Sequence, residues 1–86
     1  MYQVELSRIA AKELERIYNS DRKIYFRIIS VLESLSDDPF QGKALKNVLK
    51  GFYSYRVGVY RIIYAVEQKE LLISIIDIGH RRDIYR

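Results

Sequence analysis

The spacing of apolar positions changes character about half-way along this 86-residue chain. In the first half they recur at helical intervals. Ala10, Leu14, Ile17 and Tyr18 fall on one helical face, and Ile24, Ile28, Val31, Leu32 and Leu35 fall on another. Ser7 can cap the first stretch, which runs over about 7–18. Ser20 can cap the second, with Asp21 well placed against the helix dipole. The second helix ends near Leu35, because Pro39 drives Asp38 out of the helical region. So short a break at Asn19 and Ser20 predicts an antiparallel helical hairpin.

After the connector "QGKALKNVLKG", which Leu45, Val48 and Leu49 would pin down, the period becomes two. "FYSYRV", "YRIIYAV" and "LLISIIDI" read as strands, and "YQVEL" at the start as one more. Gly58-Val59 joins the first pair, and a Gly-X loop suits a type II′ hairpin. "EQKE" joins the next pair. The predicted fold is α+β, in the order β-α-α-β-β-β. A helical hairpin packs on one face of a small, mainly antiparallel sheet, within one domain spanning 1–86. The first strand adds at an edge, and the second sheet face is left open for function.

A two-residue loop at Gly58-Val59 pairs Val57 with Tyr60, Arg56 with Arg61, Tyr55 with Ile62 and Ser54 with Ile63. Opposite residues share a face, so both guanidinium groups point the same way. Like charges on one rung cost stability unless an anion sits between them. Two planar forks side by side suit a phosphate. The structural alternative is that both arginines extend to water, toward acidic groups such as Asp77. By the same period of two, Tyr60 and Tyr64 share a face and belong to the core.

Charge sharpens this picture. The formal net charge is +4. Residues 1–42 hold six Lys/Arg against seven Asp/Glu, whereas residues 43–86 hold nine against four. Lys43, Lys46, Lys50, Arg56 and Arg61 follow one another with no intervening acid. Such a one-sided excess suits a polyanion or an acidic protein. With no cysteine and one histidine, thiol nucleophiles, disulfides and multi-histidine metal sites are excluded. No metal or other cofactor is expected. The start of the chain lacks a signal-peptide core, and its longest apolar run, "LLISII", is too short to span a bilayer. A cytoplasmic protein without membrane contact is expected.

The ending "HRRDIYR" adds His80, Arg81, Arg82 and Tyr85 just after the last strand, where the tail can lie beside the strand carrying Arg61. Arginines with one histidine and one tyrosine can hold a phosphodiester, stabilise a pentavalent intermediate and move protons without metal. At this point "LKNVLKGFYSYRVGVYRIIYAV" followed by "ISIIDIGHRRDIYR" resembles the RelE/ParE superfamily of toxins from type II toxin–antitoxin systems. The resemblance is closer to the RelE branch, the ribosome-dependent mRNA endonucleases. It is carried by Tyr60-Arg61-Ile62-Ile63-Tyr64 and by the Gly79-His80-Arg81 to Tyr85 ending, and it extends over essentially the whole chain.

The resemblance implies entry into the ribosomal A site and cleavage of mRNA there through attack of the ribose 2′-hydroxyl. It implies that Arg61 holds the scissile phosphate and that Arg81 stabilises the transition state or leaving group. Tyr85 would orient the nucleotide, and Arg56 would supply the basic position of the first hairpin strand. Lys46 matches a connector position that helps hold RNA, with Lys43, Lys50 and Arg82 beside it as further RNA contacts. Ser54 stands where some members have a second basic residue, and His80 where some have lysine. Arginine rarely gives up its proton, whereas histidine exchanges one readily near neutrality, so His80 is the candidate general base. The implied partners are the ribosome with mRNA in its A site and an acidic, partly disordered antitoxin, in a toxin–antitoxin hetero-oligomer. Two other readings keep the same fold: a ParE-like DNA gyrase poison, and an RNA-binding module with weakened catalysis.

Overall fold

A computed structural model describes residues 1–80. The chain order is β1 (Gln3–Leu6), α1 (Arg8–Ser20), α2 (Arg22–Asp37), β2 (Lys43–Ala44), β3 (Phe52–Val57), β4 (Tyr60–Glu67) and β5 (Leu72–His80). Short 3-10 turns at Pro39–Gln41 and Asn47–Leu49 flank β2. The helical hairpin and the three long strands stand where the two periodicities predict them. β2 is an addition, since two residues are too few to show an alternation. No helix among the described residues is long and apolar enough to cross a membrane.

Ser7 caps α1, its hydroxyl accepting from the Ala10 N–H at 3.0 Å. The same hydroxyl donates to the Ile76 carbonyl at 2.6 Å, and the Ser7 N–H donates to the Ile75 carbonyl. One residue thus starts the helix and ties it to β5. The second cap departs from expectation. Helix α1 continues through Ser20, whose hydroxyl turns back to the Arg16 carbonyl. Asp21 leaves the helix instead, at φ −156° and ψ 86°. Its N–H closes α1 on the Ile17 carbonyl while its carboxylate accepts from the Ile24 N–H, so a single residue caps both helices. At the far end Asp38 is extended before Pro39, as the proline requires.

The sheet order is β1-β5-β4-β3-β2. β1 lies at one edge, parallel to β5, and every other neighbour is antiparallel. The hairpin covers one sheet face. Ala10, Leu14 and Ile17 of α1 and Ile24, Ile28, Leu32 and Leu35 of α2 meet Val57, Ile62, Tyr64, Ile73, Ile75 and Ile78 in one core. Burying each such aliphatic chain contributes about 1.5–3 kcal/mol. Ile75 and Ile78 are an odd number of residues apart, so a regular strand would point one of them away from the core. A bulge resolves this. The register shifts between Ile63, opposite Asp77, and Tyr64, opposite Ile75, and Ile76 is left to solvent. The opposite sheet face is not wholly open, because Ser54 and Ile63 on it are 7% and 6% exposed.

Tyr64 joins the core to the connector. Its ring is fully buried and stacked on Tyr53, with centroids 5.6 Å apart. Its hydroxyl donates to the Pro39 carbonyl at 2.8 Å and accepts from the Gly42 N–H at 3.0 Å. The approach is close enough to require glycine. A Cβ at Gly42 would lie 2.5 Å from the Tyr64 hydroxyl and 2.8 Å from the Ser54 carbonyl. Burial pushes the Tyr64 hydroxyl above its ordinary pKa of 10.0, against a smaller lowering by the Gly42 hydrogen bond. Within the connector, Val48 does not act as an anchor. It is exposed, and only Leu45 and Leu49 are half-buried.

Two stability outcomes follow. Replacing the shared cap, Asp21→Ala, should cost about 1 kcal/mol in chemical denaturation, because it removes the carboxylate that caps α2 and keeps the backbone N–H that closes α1. Tyr64→Phe should cost about 1–3 kcal/mol, because it strands the Pro39 carbonyl and the Gly42 N–H. The raised Tyr64 value means that the folded state holds this proton more tightly than the unfolded chain. Its contribution is therefore complete below about pH 10 and is lost as pH rises through the raised value. Melting temperature measured against pH should fall less steeply above pH 10 in Tyr64→Phe than in the wild type.

Candidate functional site

The hairpin register is the expected one, pair for pair. Arg56 lies opposite Arg61, Val57 opposite Tyr60, Tyr55 opposite Ile62 and Ser54 opposite Ile63. Gly58 takes φ +59° and Val59 does not share that region, which fits a turn needing left-handed backbone at its first position only. On β5, Gly79 stands opposite Arg61 and adds no side chain to that rung. The next rung on the same face runs Lys43, Ser54, Ile63 and Asp77. β2 therefore brings a lysine onto the arginine face, and β5 brings one acid.

Side-chain reach then separates the two arginines. Arg61 is half-buried and lines a cleft of about 330 Å³ with Lys43, Ala44, Leu45 and Lys46. Arg56 is exposed at the outer side of β3 and lines a different groove, of about 460 Å³, between β3 and α2. Lys23 and Arg27 of α2 join it there. The first cleft gathers three cations from the connector and the central strand. Its position depends on the Tyr64–Gly42 contact, since Gly42 immediately precedes Lys43. Such a cleft can hold a phosphodiester by charge-assisted hydrogen bonds.

The other expected residues fall as follows. Lys50 is exposed and does not line the Arg61 cleft. His80 shares a rung with Tyr60, and their rings meet edge-on with centroids 6.0 Å apart. Tyr60 packs against the core, so this rung faces the helices, and the next one, with Arg61, faces away. His80 is thus held at the strand end against Tyr60. Arg81, Arg82 and Tyr85 lie outside the described residues. Sequence reasoning missed Lys23 and Arg27, although their spacing of four residues on one helix was visible. It also missed the Tyr64 clamp, whose partners are 22 and 25 residues away in sequence and gave no local sign.

Comparison with known proteins bears on what this geometry serves. A family model described as the ParE toxin of the type II toxin–antitoxin system parDE matches residues 4–85. Toxin RelE of Mycobacterium tuberculosis is 34% identical over 87 residues, covering 99% of this chain and 87% of that protein. Toxin RelG of the same organism is 40% identical over 53 residues, a match spanning 60% of this chain and 61% of RelG. Among solved structures, the RelBE2 toxin–antitoxin complex of M. tuberculosis superposes with a TM-score of 0.81 at 27% identity, covering 93% of this chain and 98% of that one. The chain belongs to the ParE-toxin family within the RelE/ParE superfamily, and it is a toxin of a type II toxin–antitoxin system.

Proposed function

We propose that this toxin is a ribosome-dependent endoribonuclease that cuts mRNA in the A site and so stops translation. The observation that carries the reading is the cleft formed by Arg61, Lys43 and Lys46 beside the Arg56–Arg61 rung. The RelE and RelG relatives support it by name. A phosphodiester seated there has its non-bridging oxygens held by Arg61, with the lysines holding the neighbouring backbone. The adjacent ribose 2′-hydroxyl attacks phosphorus, the P–O5′ bond breaks, and a 2′,3′-cyclic phosphate and a 5′-hydroxyl result. The proton leaves the 2′-oxygen for a base, and a proton is delivered to the 5′-oxygen. Fixed guanidinium groups balance the charge that builds on the phosphoryl oxygens, so no metal enters the scheme. Arg56, Arg81 and Arg82 add positive charge, Lys50 extends the RNA contact, and Tyr85 orients the nucleotide.

His80 is the candidate base by chemistry, but its edge contact with Tyr60 lies on the sheet face opposite the Arg61 cleft, which counts against that role. An unchanged single-turnover cleavage rate in His80→Ala would remove it from the proton transfer. The toxin acts in the cytoplasm, and its other partner is an acidic antitoxin, as the RelBE2 complex suggests.

The test is primer extension on a defined mRNA with ribosomes stalled at a known codon. A cut within the A-site codon that is absent on free RNA is expected. Arg61→Ala should lower that cleavage about a hundredfold or more, the usual scale for losing one preorganised charge partner. It should leave the melting temperature unchanged or raised, since it removes a like-charge neighbour. The family description, as a ParE toxin, favours a second reading, a DNA gyrase poison. Intact mRNA together with inhibited gyrase supercoiling would select it.

A further inference from the structure

One acid, Asp77, stands close to Arg61 on the sheet face that points away from the helices. It lies opposite Ile63, one rung from the pair formed by Arg61 and Gly79. Arg61 and Asp77 are therefore diagonal neighbours on adjacent strands, roughly 7–8 Å apart at the backbone, within the reach of an arginine side chain. The Asp77 carboxylate is half-buried, yet it makes no ion pair and no hydrogen bond among the described residues. Its strand neighbours give it no donor. Ile63 is apolar and 6% exposed, and Gly79 has no side chain. Among the charged groups of the described strands on this face, Arg61 is the one that neighbours it. Glu5 of β1 stands further along, opposite Ser74, and Glu67 stands at the far end of β4, opposite Leu72. No second acid of these strands lies within a rung of Arg61.

The order of the strands gives this placement a chemical meaning. Asp77 is on β5, Arg61 on β4 and Lys43 on β2, so Arg61 stands between the carboxylate and the lysines of its cleft. Displacement at phosphorus puts the entering and leaving oxygens in line, on opposite sides. A phosphodiester held by Arg61 thus meets a proton acceptor on one flank and proton donors on the other, since a carboxylate only accepts and an ammonium only donates. His80 does not reach the same flank, because its ring lies against Tyr60 on the opposite face.

We propose that Asp77 is the general base of the cleavage. Its carboxylate takes the proton of the ribose 2′-hydroxyl as the 2′-oxygen bonds to phosphorus. The P–O5′ bond breaks, and an ammonium of Lys43 or Lys46 gives a proton to the 5′-oxygen. One proton is taken up and one is given out, and exchange with water restores both groups. The proposal rests on the nuclease reading and adds to it the residue that accepts the proton.

The experiment is single-turnover cleavage of mRNA on stalled ribosomes by the full-length toxin. Asp77→Asn keeps the shape of the side chain but cannot take the proton, so cleavage should fall about a hundredfold or more. Binding is measured separately, on ribosomes whose A-site codon carries 2′-deoxyribose and cannot be cut. It should be unchanged or tighter, because the variant removes a negative charge beside a phosphate. The cleavage that remains must use hydroxide. Its rate should therefore rise about tenfold per unit of pH, more steeply than in the wild type. Asp77→Glu, which keeps a carboxylate, should recover part of the rate. Glu67→Gln, the same charge change at the far end of β4, should leave the rate within about twofold. An Asp77→Asn rate within about threefold of the wild type overturns the proposal. So does a loss of binding that matches the loss of cleavage, which would make Asp77 a support for Arg61 and not a base. A wild-type rate that itself rises about tenfold per unit of pH also overturns it, and that result needs no variant to fold. Wild-type toxin that leaves mRNA uncut on the ribosome would instead overturn the nuclease reading, and this role with it.

Discussion

Gly58 takes φ +59° and closes a two-residue turn, and that backbone choice sets the pairing of β3 with β4 residue by residue. A slip of one residue would send Arg61 into the core and Ile62 into solvent, because side chains alternate across a strand. The opposite face prevents the slip. Val57, Ile62 and Tyr64 are all but fully buried against the hairpin. Each buried aliphatic side chain is worth about 1.5–3 kcal/mol, and an unfavourable like-charge rung costs about 1 kcal/mol or less. The core therefore outweighs the repulsion between Arg56 and Arg61 and holds them on one rung. An anion is then met by charges already in place.

The same strand carries the contact that shapes the rest of the cationic cleft. Tyr64 points into the core from the face opposite Arg61, yet its hydroxyl reaches Pro39 and Gly42 at the start of the connector. Lys43 follows at once, enters β2 and pairs with Ser54. One buried tyrosine thus couples apolar packing to the position of a surface lysine. The bulge in β5 has a comparable effect. By letting Ile75 and Ile78 both reach the core, it leaves Asp77 and Gly79 on the arginine face. Gly79 keeps the Arg61 rung clear, and Asp77 is one rung further on.

Much of this was legible in sequence wherever the physics is local. Helical spacing located both helices. The Gly-X turn gave the arginine rung, and alternation assigned Tyr60 and Tyr64 to the core. What escaped depends on contacts between distant residues. Ser20 and Asp21 are both good cap residues, and only the length to which α1 could continue decided for Asp21. β2 is two residues long and exists because β3 offers an edge. Ile75 and Ile78 break the period of two, which signals a bulge, but sequence does not say which strand carries it. His80 was grouped with Arg61 by proximity along the chain. One residue of strand reverses a side chain's direction, so nearness in sequence placed it on the wrong face of that argument.

β3 is where the two cationic surfaces meet. Arg61 and the connector lysines lie to one side, and Lys23 and Arg27 to the other. Arg56 belongs to both, through its rung with Arg61 and through the α2 groove. The two surfaces differ in what fixes them. The Arg61–Lys43–Lys46 cleft is shaped from the core, through the hydrogen bonds of Tyr64 to Pro39 and Gly42, whereas Arg56 is exposed and its position follows from the strand pairing alone.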